Sequence, residues 1–306
     1  MTAIVILGMH RSGTSAITRA LNLLGAEIGP TGDLGQYWES QRMRVPLDAV
    51  LAAFDGAWDA PGVMPEGWER TAAVRAVEPQ ARAALGAYGE PAVMVWKDPR
   101  ACLEMPFWRP LLGGDPVVVL IHRHPEEVWG SLDTRNGFGP GLSFALWERY
   151  NADALRGAAG LRAVVLAYAD LVERPVEVTT DLVATLAAWG VDLPNDPATT
   201  DMELRADARH HRAVATFEHP SATGAQRTLF AALAAAEGVH DAFVPPTIEP
   251  PDPLSTELIE MQRRFRAVRQ DLWRARTAHR RLAGSRRNLL ARLVRPERHA
   301  TDPGIA

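Results

Sequence analysis

The sequence predicts a three-layer α/β fold with a central parallel sheet, followed by a C-terminal helical extension. Three observations support this prediction. Short apolar runs rich in β-branched residues alternate along the chain with segments of helical periodicity, as in layered α/β domains. A glycine-rich turn separates the first apolar run from the helical pattern after it. A proline-rich stretch then divides the alternating region from an arginine-rich amphipathic segment.

Four apolar runs are predicted strands. They lack the alternation of polar and apolar residues that a half-exposed strand shows, which is typical of strands buried on both faces of a parallel sheet. The predicted strands span residues 3–7, 92–96, 117–121 and 163–166. Ligands in such sheets bind at the carboxyl ends of the strands, so we expect the site just after these runs.

Six segments between and after the strands are predicted helices. They span about 14–25, 41–54, 70–87, 125–134, 142–158 and 175–189. Residues 244–254 hold five prolines, which cannot continue a helix or a central strand. We therefore predict a domain over 1–245, a linker over 246–254 and a basic helical tail over 255–306.

Composition excludes several classes of protein. Of 306 residues, 47% are hydrophobic, enough for a sizeable core. The single cysteine, Cys102, rules out an intrachain disulfide, and no Cys/His cluster has zinc spacing, so we expect no metal. Only seven residues precede the glycine-rich turn, and no apolar run is long enough to span a bilayer. We expect a cytoplasmic protein that does not bind nucleic acid.

The tail differs from the body in charge. Residues 255–306 carry 13 arginines against five acidic residues, a net +8, which leaves −12 for the rest of a chain with net charge −4. Apolar or small residues recur in the tail at nearly heptad spacing, at Leu258, Met261, Phe265, Val268, Leu272, Ala275 and Leu282. Three interpretations stay open: a solvated helix packed once against the body, a coiled-coil homodimer seam, or a membrane-surface helix. The membrane-surface interpretation uses Arg286, Arg287, Leu289, Leu290, Leu293 and Val294.

The first predicted strand leads into Gly-Met-His-Arg-Ser-Gly-Thr-Ser at residues 8–15. Glycines there allow backbone angles closed to other residues, and the following helix N-terminus favours an anion. The spacing from Gly8 to Gly13 is that of a P-loop, which makes the predicted fold P-loop-type. The lysine position of the nucleotide triphosphatase loop holds Thr14, and the only nearby cation is Arg11. The loop is suited to phosphate and badly equipped for ATP.

This loop resembles the 5′-phosphosulfate loop of sulfotransferases that use 3′-phosphoadenosine 5′-phosphosulfate (PAPS). In that family a lysine or arginine precedes Ser-Gly-Thr, as Arg11 does here. The resemblance implies that Arg11, Ser12, Gly13, Thr14 and Ser15 bind the cofactor PAPS and its product adenosine 3′,5′-bisphosphate. It covers roughly residues 1–190.

A second match follows the third predicted strand. Arg123 is followed by Ser131 eight residues later and by Arg135 after another four. In sulfotransferases an arginine at a strand end and a serine eight residues on hold the 3′-phosphate, and the tyrosyl-protein branch adds the second arginine. A helix after the strand places the serine two turns along, and arginine offers a planar fork for phosphate oxygens.

Two further matches involve strand ends. Trp96-Lys97-Asp98-Pro99-Arg100 resembles the Lys-Asp-Pro of tyrosyl-protein and bacterial sulfotransferases. The resemblance implies that Lys97 stabilises the charge that develops in transfer, and we expect Asp98 to orient it. Tyr168, followed by Asp170-Leu171-Val172, is similar to a segment whose tyrosine contacts the nucleotide. Simpler structural roles stay open for four of these residues: a surface ion pair for Arg123, an ordinary helix serine for Ser131, a solvated Arg135 and a core Tyr168.

An acceptor hydroxyl must lose a proton, and Glu39 is the predicted base. It lies in Gly35-Gln36-Tyr37-Trp38-Glu39, comparable with the segment that carries the catalytic glutamate of the tyrosyl-protein branch. Its aromatic neighbours would desolvate the carboxylate. The alternatives are that Glu39 caps or begins the helix at residue 41, or that His10 is the base. The predicted catalytic residues are Glu39, Lys97 and Arg11.

Parts of the family pattern are missing or ambiguous. The C-terminal glycine-rich, lysine-bearing segment that closes over the cofactor is absent. We expect a substitute from the segment that holds Arg205, Arg209, His210, His211 and Arg212. Three tryptophans are candidates either for an acceptor cleft or for the core: Trp38, Trp58 and Trp68.

The resemblance therefore implies a PAPS-dependent sulfotransferase that acts on a hydroxyl, with a glycan or glycosylated metabolite as the expected acceptor. Two other classes stay open. One is a P-loop kinase or nucleotidase that uses ATP and Mg²⁺, which the missing loop lysine disfavours. The other is a non-catalytic nucleotide-binding scaffold whose coiled-coil tail recruits partners.

Overall fold

A five-stranded sheet forms the centre of the molecule. The computed structural model describes residues 2–30, 33–35, 37–200 and 216–293, with side chains as far as residue 280. The strands are β1 (Thr2–Leu7), β2 (Val93–Lys97), β3 (Val117–His122), β4 (Ala163–Ala167) and β5 (Gly238–His240). Their order is β2-β1-β3-β4-β5. The four predicted strands are confirmed and are parallel to one another.

The fifth strand was not predicted. β5 has only three residues, pairs antiparallel with the edge of β4 and is largely exposed. Because it is short and lies at an edge, it carries neither the apolar run nor the alternation that marks a strand in a sequence. The sheet is therefore mostly, not wholly, parallel.

The helices of the described chain fall between and after these strands. They are α1 (Thr14–Leu23), α2 (Gln41–Ala52), α3 (Ala72–Arg75), α4 (Glu78–Gly86), α5 (Ala101–Leu111), α6 (Pro125–Asn136), α7 (Pro140–Gly157), α8 (Tyr168–Glu173), α9 (Pro175–Ala188), α10 (Gly224–Ala235) and α11 (Pro253–Leu293). Short 3₁₀ turns lie at Trp68–Arg70 and Pro197–Thr200.

Both faces of the sheet are buried. In β1, Ile4 and Ile6 pack among apolar residues of α1 and α9. Val5 and Leu7 point the other way and belong to a second cluster with residues of α2, α5 and α7. The chain thus has the predicted three-layer, P-loop-type α/β architecture.

The strand register sets where the site lies. Ile6 pairs with Lys97, Leu7 with Leu120, and His122 with Ala167, so parallel strands end at one edge. Strand order reverses at β1, whose neighbours are β2 on one side and β3 on the other. In open α/β sheets such a switch point forms a crevice at the carboxyl ends of the strands, where ligands bind.

Proline explains the largest differences from the predicted helices. The region predicted as one helix over 70–87 is a 3₁₀ turn followed by α3 and α4, with Pro79 in the first turn of α4. α5 was not predicted, because it carries Pro106 and Pro110 inside it. Each proline removes a backbone donor, so its sequence reads as a helix breaker, while tertiary packing holds the helix in place.

A buried carboxylate joins three helices of the body. Glu148 on α7 accepts hydrogen bonds from Gln226 Nε2 at 3.1 Å, Ser255 Oγ at 2.5 Å and the Asp252 N–H at 3.2 Å. These partners lie on α10, on α11 and just before it. The network fixes the first turns of α11, whose Ile259 is also buried.

Contacts divide the chain into two units, Met1–Gln262 and Arg263–Ala306. In the second unit, Phe265, Val268 and Leu272 of α11 are each more than half exposed. The homodimer or membrane contact expected of this segment stays a prediction, as do the domain boundaries. No helix within the described residues has the length and apolar character needed to cross a membrane.

One buried titratable group lies far from a countercharge. Glu104 on α5 is fully buried, and its Oε2 accepts from Trp108 Nε1 at 2.9 Å. Its Oε1 has no partner among the described residues. Burial raises the pKa of Glu104 well above its ordinary value of 4.5.

We expect Glu104→Gln to remove a pH dependence of stability. Because the folded-state pKa of Glu104 is raised, stabilisation by its proton is complete below the unfolded pKa and is lost as the pH rises through the folded pKa. The free energy of unfolding of the parent chain should fall relative to the variant by up to about 1.4 kcal/mol per pH unit in that window. Urea unfolding from about pH 5 upward measures this difference. Glu66→Gln, at an exposed position, is the control; a difference independent of pH would contradict the expectation.

Candidate active site

The loop after β1 needs both of its glycines. Gly8 has φ +155°, and a Cβ there would lie 2.4 Å from the Ile121 carbonyl oxygen. Gly13 has φ +91°, and a Cβ there would lie 2.1 Å from Cδ2 of Tyr168. The loop therefore packs against the ends of β3 and β4 with no room for side chains at either position.

Between the glycines the backbone turns sharply. The Ser12 N–H donates to the Met9 carbonyl at 3.1 Å, and Arg11 has φ +70°, the left-handed region. A non-glycine residue in that region costs of order 1–3 kcal/mol, and such strain clusters at ligand-binding sites. Gly8 N–H also donates to the buried Cys102 thiol at 3.1 Å, which holds the start of the loop.

The end of the loop offers uncovered donors. α1 begins at Thr14, and its N-cap, Gly13, supplies no side-chain cap. The first N–H groups of a helix favour an anion, through both hydrogen bonding and the helix dipole. Ser12 is fully buried, and its Oγ has no partner among the described residues. An orphaned hydroxyl beside uncovered amides fits an anionic ligand in the loop.

Two arginines connect the loop to the end of β3. Arg11 Nε donates to Ser131 Oγ at 2.7 Å, and Arg123 Nη1 donates to the Arg11 carbonyl at 3.2 Å. Arg123 Nε also pairs with Glu127 at 2.6 Å, and Trp147 Nε1 donates to the Arg123 carbonyl. The structure thus brings the predicted 3′-phosphate residues Arg123 and Ser131 directly against the loop.

Aromatic rings support these cations. The Arg123 guanidinium lies 4.4 Å from the ring centroid of Tyr168, which is buried at the start of α8. Arg135 is exposed, yet its guanidinium lies 4.7 Å from the centroid of Tyr37, and Arg11 lies 5.6 Å from the same centroid. Tyr168 therefore holds Arg123 in place, and its own contact with a nucleotide stays a prediction.

Lys97 enters the site from β2. Its side chain is 1% exposed, and Nζ donates to the Tyr37 carbonyl at 2.5 Å and to Glu39 Oε1 at 3.1 Å. Ser15 Oγ donates to the same Tyr37 carbonyl at 3.1 Å, which ties the loop helix to Lys97. Burial lowers the pKa of Lys97, and the neighbouring Glu39 carboxylate opposes that shift.

Glu39 faces Lys97 and does not cap α2. The N-cap of α2 is Ser40, whose Oγ accepts from the Met43 N–H at 3.2 Å. The segment before it is folded back, with the Gly35 N–H donating to the Glu39 carbonyl at 2.8 Å. The structural alternative for Glu39 as the helix cap is therefore wrong. Its catalytic role stays a prediction.

Asp98 has a different partner from the one expected. It binds Arg100 with both carboxylate oxygens, at 2.8 Å from Nε and 2.5 Å from Nη2. Arg100 Nη1 also reaches Asp48 on α2 at 2.5 Å. The expectation that Asp98 orients Lys97 by a hydrogen bond is wrong, because the adjacent guanidinium takes both oxygens.

His10 occupies the enclosed side of the loop. Its ring centroid lies 4.7 Å from that of Trp58 and 5.5 Å from that of Tyr150. Burial lowers the pKa of His10 well below 6.5, and the nearby Arg100 and Lys97 charges lower it further. A neutral imidazole at this position is consistent with either a ligand contact or the alternative role as base.

The three tryptophans separate. Trp68 is buried in the core, Trp38 lies under the Arg19 guanidinium at 5.2 Å, and only Trp58 contacts a loop residue. The candidate lid residues Arg205, Arg209, His210, His211 and Arg212 lie outside the described residues. Within the part of the chain that the structure describes, no group of three His, Cys, Asp or Glu side chains is placed to hold a metal ion.

Sequence reasoning missed the backbone of Tyr37. Its carbonyl is the shared acceptor for Ser15 and Lys97, and a carbonyl leaves no mark in a sequence. The Glu127 partner of Arg123 was also missed. Its spacing of four residues was the signal that could have found it.

Comparisons with known proteins found two similar solved structures. One is the sulfotransferase domain from the curacin biosynthetic pathway, with 14% identity, a TM-score of 0.40, and coverage of 85% of this chain and 97% of that chain. The other is the sulfotransferase domain from the Synechococcus PCC 7002 olefin synthase, with 18% identity, a TM-score of 0.36, and coverage of 85% and 94%. No family model and no curated protein match the chain.

We expect Gly13→Ala to destabilise the protein by more than about 1 kcal/mol, because alanine is strained at φ +91° and its Cβ would strike the Tyr168 ring. Gly86→Ala is the matched control. Gly86 ends α4 with open space around its Cβ position, so alanine there should raise stability by up to about 1 kcal/mol. Urea unfolding of both variants measures the two effects. Equal effects at the two positions would show that the loop does not press on Tyr168.

Proposed function

We propose that this protein is a sulfotransferase that moves a sulfuryl group from PAPS to a hydroxyl acceptor. The observation that carries the proposal is the place of Lys97. A nucleotide triphosphatase loop has its lysine where this chain has Thr14. Here the chain's one lysine comes from β2, is buried beside the loop and pairs with Glu39 at 3.1 Å.

A cation and a carboxylate beside an anion-binding loop suit transfer to a hydroxyl. The leaving phosphate gains negative charge, which a fixed ammonium and loop N–H groups stabilise. The hydroxyl loses a proton, which a carboxylate within reach can accept. Lys97 and Glu39 supply these two functions from neighbouring positions.

The residues present fit PAPS at both of its anionic ends. The orphaned Ser12 hydroxyl and the uncovered amides at the start of α1 suit the 5′-phosphosulfate. Arg123 and Ser131, both tied to Arg11, suit the 3′-phosphate. A donor with two separate anionic groups accounts for having cations on both the loop and the end of β3.

When bound, PAPS supplies a sulfuryl group whose bond to a phosphate oxygen breaks as its bond to the acceptor oxygen forms. Glu39 accepts the hydroxyl proton at its carboxylate. Lys97 and Arg11 hold positive charge where negative charge collects on the phosphate. Catalysis here consists of positioning and charge stabilisation by groups that are already in place.

The acceptor we propose is a glycan or a glycosylated metabolite, with a peptide or a small phenol as the next candidate. The motifs around Lys97 and Glu39 resemble those of the tyrosyl-protein and carbohydrate sulfotransferases, which supports this choice. The partly exposed Trp58 beside the loop offers a surface of the kind on which sugar rings stack.

We expect adenosine 3′,5′-bisphosphate to raise the melting temperature, and ATP with Mg²⁺ to raise it less. A ligand at 100 times its Kd stabilises a protein by about 2.7 kcal/mol. Arg123→Ala and Ser131→Ala should weaken the bisphosphate much more than adenosine 5′-phosphate, because they contact only the second phosphate. Thermal unfolding with each ligand makes the comparison.

The control for these variants is Arg82→Ala, at an exposed ion pair within α4. It should leave every ligand shift unchanged. Stabilisation by ATP and Mg²⁺ without stabilisation by the bisphosphate would overturn the proposed function and favour a kinase or nucleotidase.

We expect Glu39→Gln to lower kcat by about 10²–10⁴-fold, because glutamine cannot accept the acceptor proton. Glutamine can still accept the hydrogen bond from Lys97, so the bisphosphate should bind as before. Initial rates of bisphosphate release from PAPS measure kcat, and thermal unfolding measures binding. Glu90→Gln, at an exposed position before β2, is the control. Unchanged kcat in Glu39→Gln would remove Glu39 as the base.

A further inference from the structure

A group of aromatic side chains borders the loop and takes no part in holding the donor. His10 packs against Trp58 and Tyr150, and Trp58 stacks on Phe138 with centroids 6.1 Å apart and planes 27° apart. His10, Trp58 and Phe138 are each partly exposed, whereas Tyr150 is fully buried behind them. We call the first three residues the aromatic wall.

The wall lies next to the candidate transfer site. His10 precedes Arg11 in the loop, and Phe138 follows the end of α6, three residues after Arg135. The charges of Lys97, Arg135 and Arg11 all act on the His10 ring. A molecule lying on the wall would therefore be close to the groups that we assign to the donor and to the reaction.

The wall is held rigidly from behind. Tyr150 Oη donates to the Trp58 carbonyl at 2.7 Å. Ala57 and Ala60 exchange two backbone hydrogen bonds, each 3.0 Å, across Trp58. A ring fixed in this way loses little freedom when a ligand packs on it, which favours binding.

His10 adds an unmet polar atom to the wall. Its Nε2 is enclosed and has no hydrogen-bond partner among the described residues. A neutral imidazole has one N–H donor and one acceptor nitrogen. An enclosed polar atom without a partner is costly, so a ligand hydroxyl that pairs with it gains affinity.

We propose that His10, Trp58 and Phe138 form the acceptor subsite, which takes a hydroxylated ring with its face on Trp58 and a hydroxyl hydrogen-bonded to His10. This inference rests on the proposed function, in which the reacting hydroxyl gives its proton to Glu39. His10 therefore binds the acceptor without receiving that proton. The shared chemistry is a ring with a flat apolar face and a hydroxyl, which either a pyranose or a phenol provides.

The test uses three sets of acceptors with the full chain and PAPS: methyl pyranosides, simple phenols and open-chain alcohols of similar size. The parent protein should have a higher kcat/KM for at least one ring set than for the open-chain set. A preference for pyranosides identifies a sugar acceptor, and a preference for phenols an aromatic one. No preference for either ring set would overturn the proposal.

The variants locate the effect at the wall. Trp58→Ala should raise KM for the preferred ring acceptor by about tenfold, and Trp58→Phe should raise it less. His10→Ala should lower kcat/KM about two- to tenfold, with partial recovery in His10→Asn. Trp273→Ala, at a position 63% exposed on α11, should match the parent protein. An unchanged KM in both Trp58 variants would overturn the proposal.

The same variants separate this inference from the proposed function. The melting-temperature shift produced by adenosine 3′,5′-bisphosphate should be unchanged in Trp58→Phe and His10→Asn, which also shows that they fold. If the bisphosphate does not bind the parent protein, the proposed function fails. If it binds and the ring acceptors behave alike in parent and variants, only the acceptor subsite fails.

Discussion

The buried ammonium of Lys97 is the interaction on which the site depends. A charge that is almost wholly removed from water is stable only when partners compensate it. The Tyr37 carbonyl and the Glu39 carboxylate do so, and Ser15 shares the carbonyl. One cation therefore holds the segment before α2 against both the end of β2 and the first turn of α1. Removing either partner would leave a buried charge without compensation, so these contacts form as a unit.

The fold could be predicted further than the contacts of the site. Apolar runs identified the four parallel strands, because burial on both faces leaves a compositional mark. β5 and α5 escaped prediction for opposite reasons: β5 is too short to show a period, and α5 carries prolines that packing overrides. In the site, residue spacing pointed to the strand-end cations. It could not show that Asp98 serves Arg100, since two neighbouring cations compete for one carboxylate.

The distribution of positive charge differs from that of a loop built for ATP. A triphosphate loop places its lysine on the loop itself. Here cations arrive from separate elements, Lys97 from β2 and Arg123 from the end of β3, and the sheet register brings them together. Arg11 connects the two sides through its carbonyl and its side chain. The arrangement requires the whole sheet to be formed before the loop has its complement of charge, which couples ligand binding to the global fold.

The thiol beneath the loop gives the molecule a built-in reporter. Cys102 is the only cysteine, is buried on α5 and accepts the Gly8 N–H. Burial raises its pKa to about 12, so the folded protein keeps it protonated and unreactive toward alkylating reagents. Its alkylation requires the layer between α5 and the loop to open. The rate of alkylation therefore measures how often the phosphate loop separates from its support, and a ligand that binds the loop slows that clock in proportion to its occupancy.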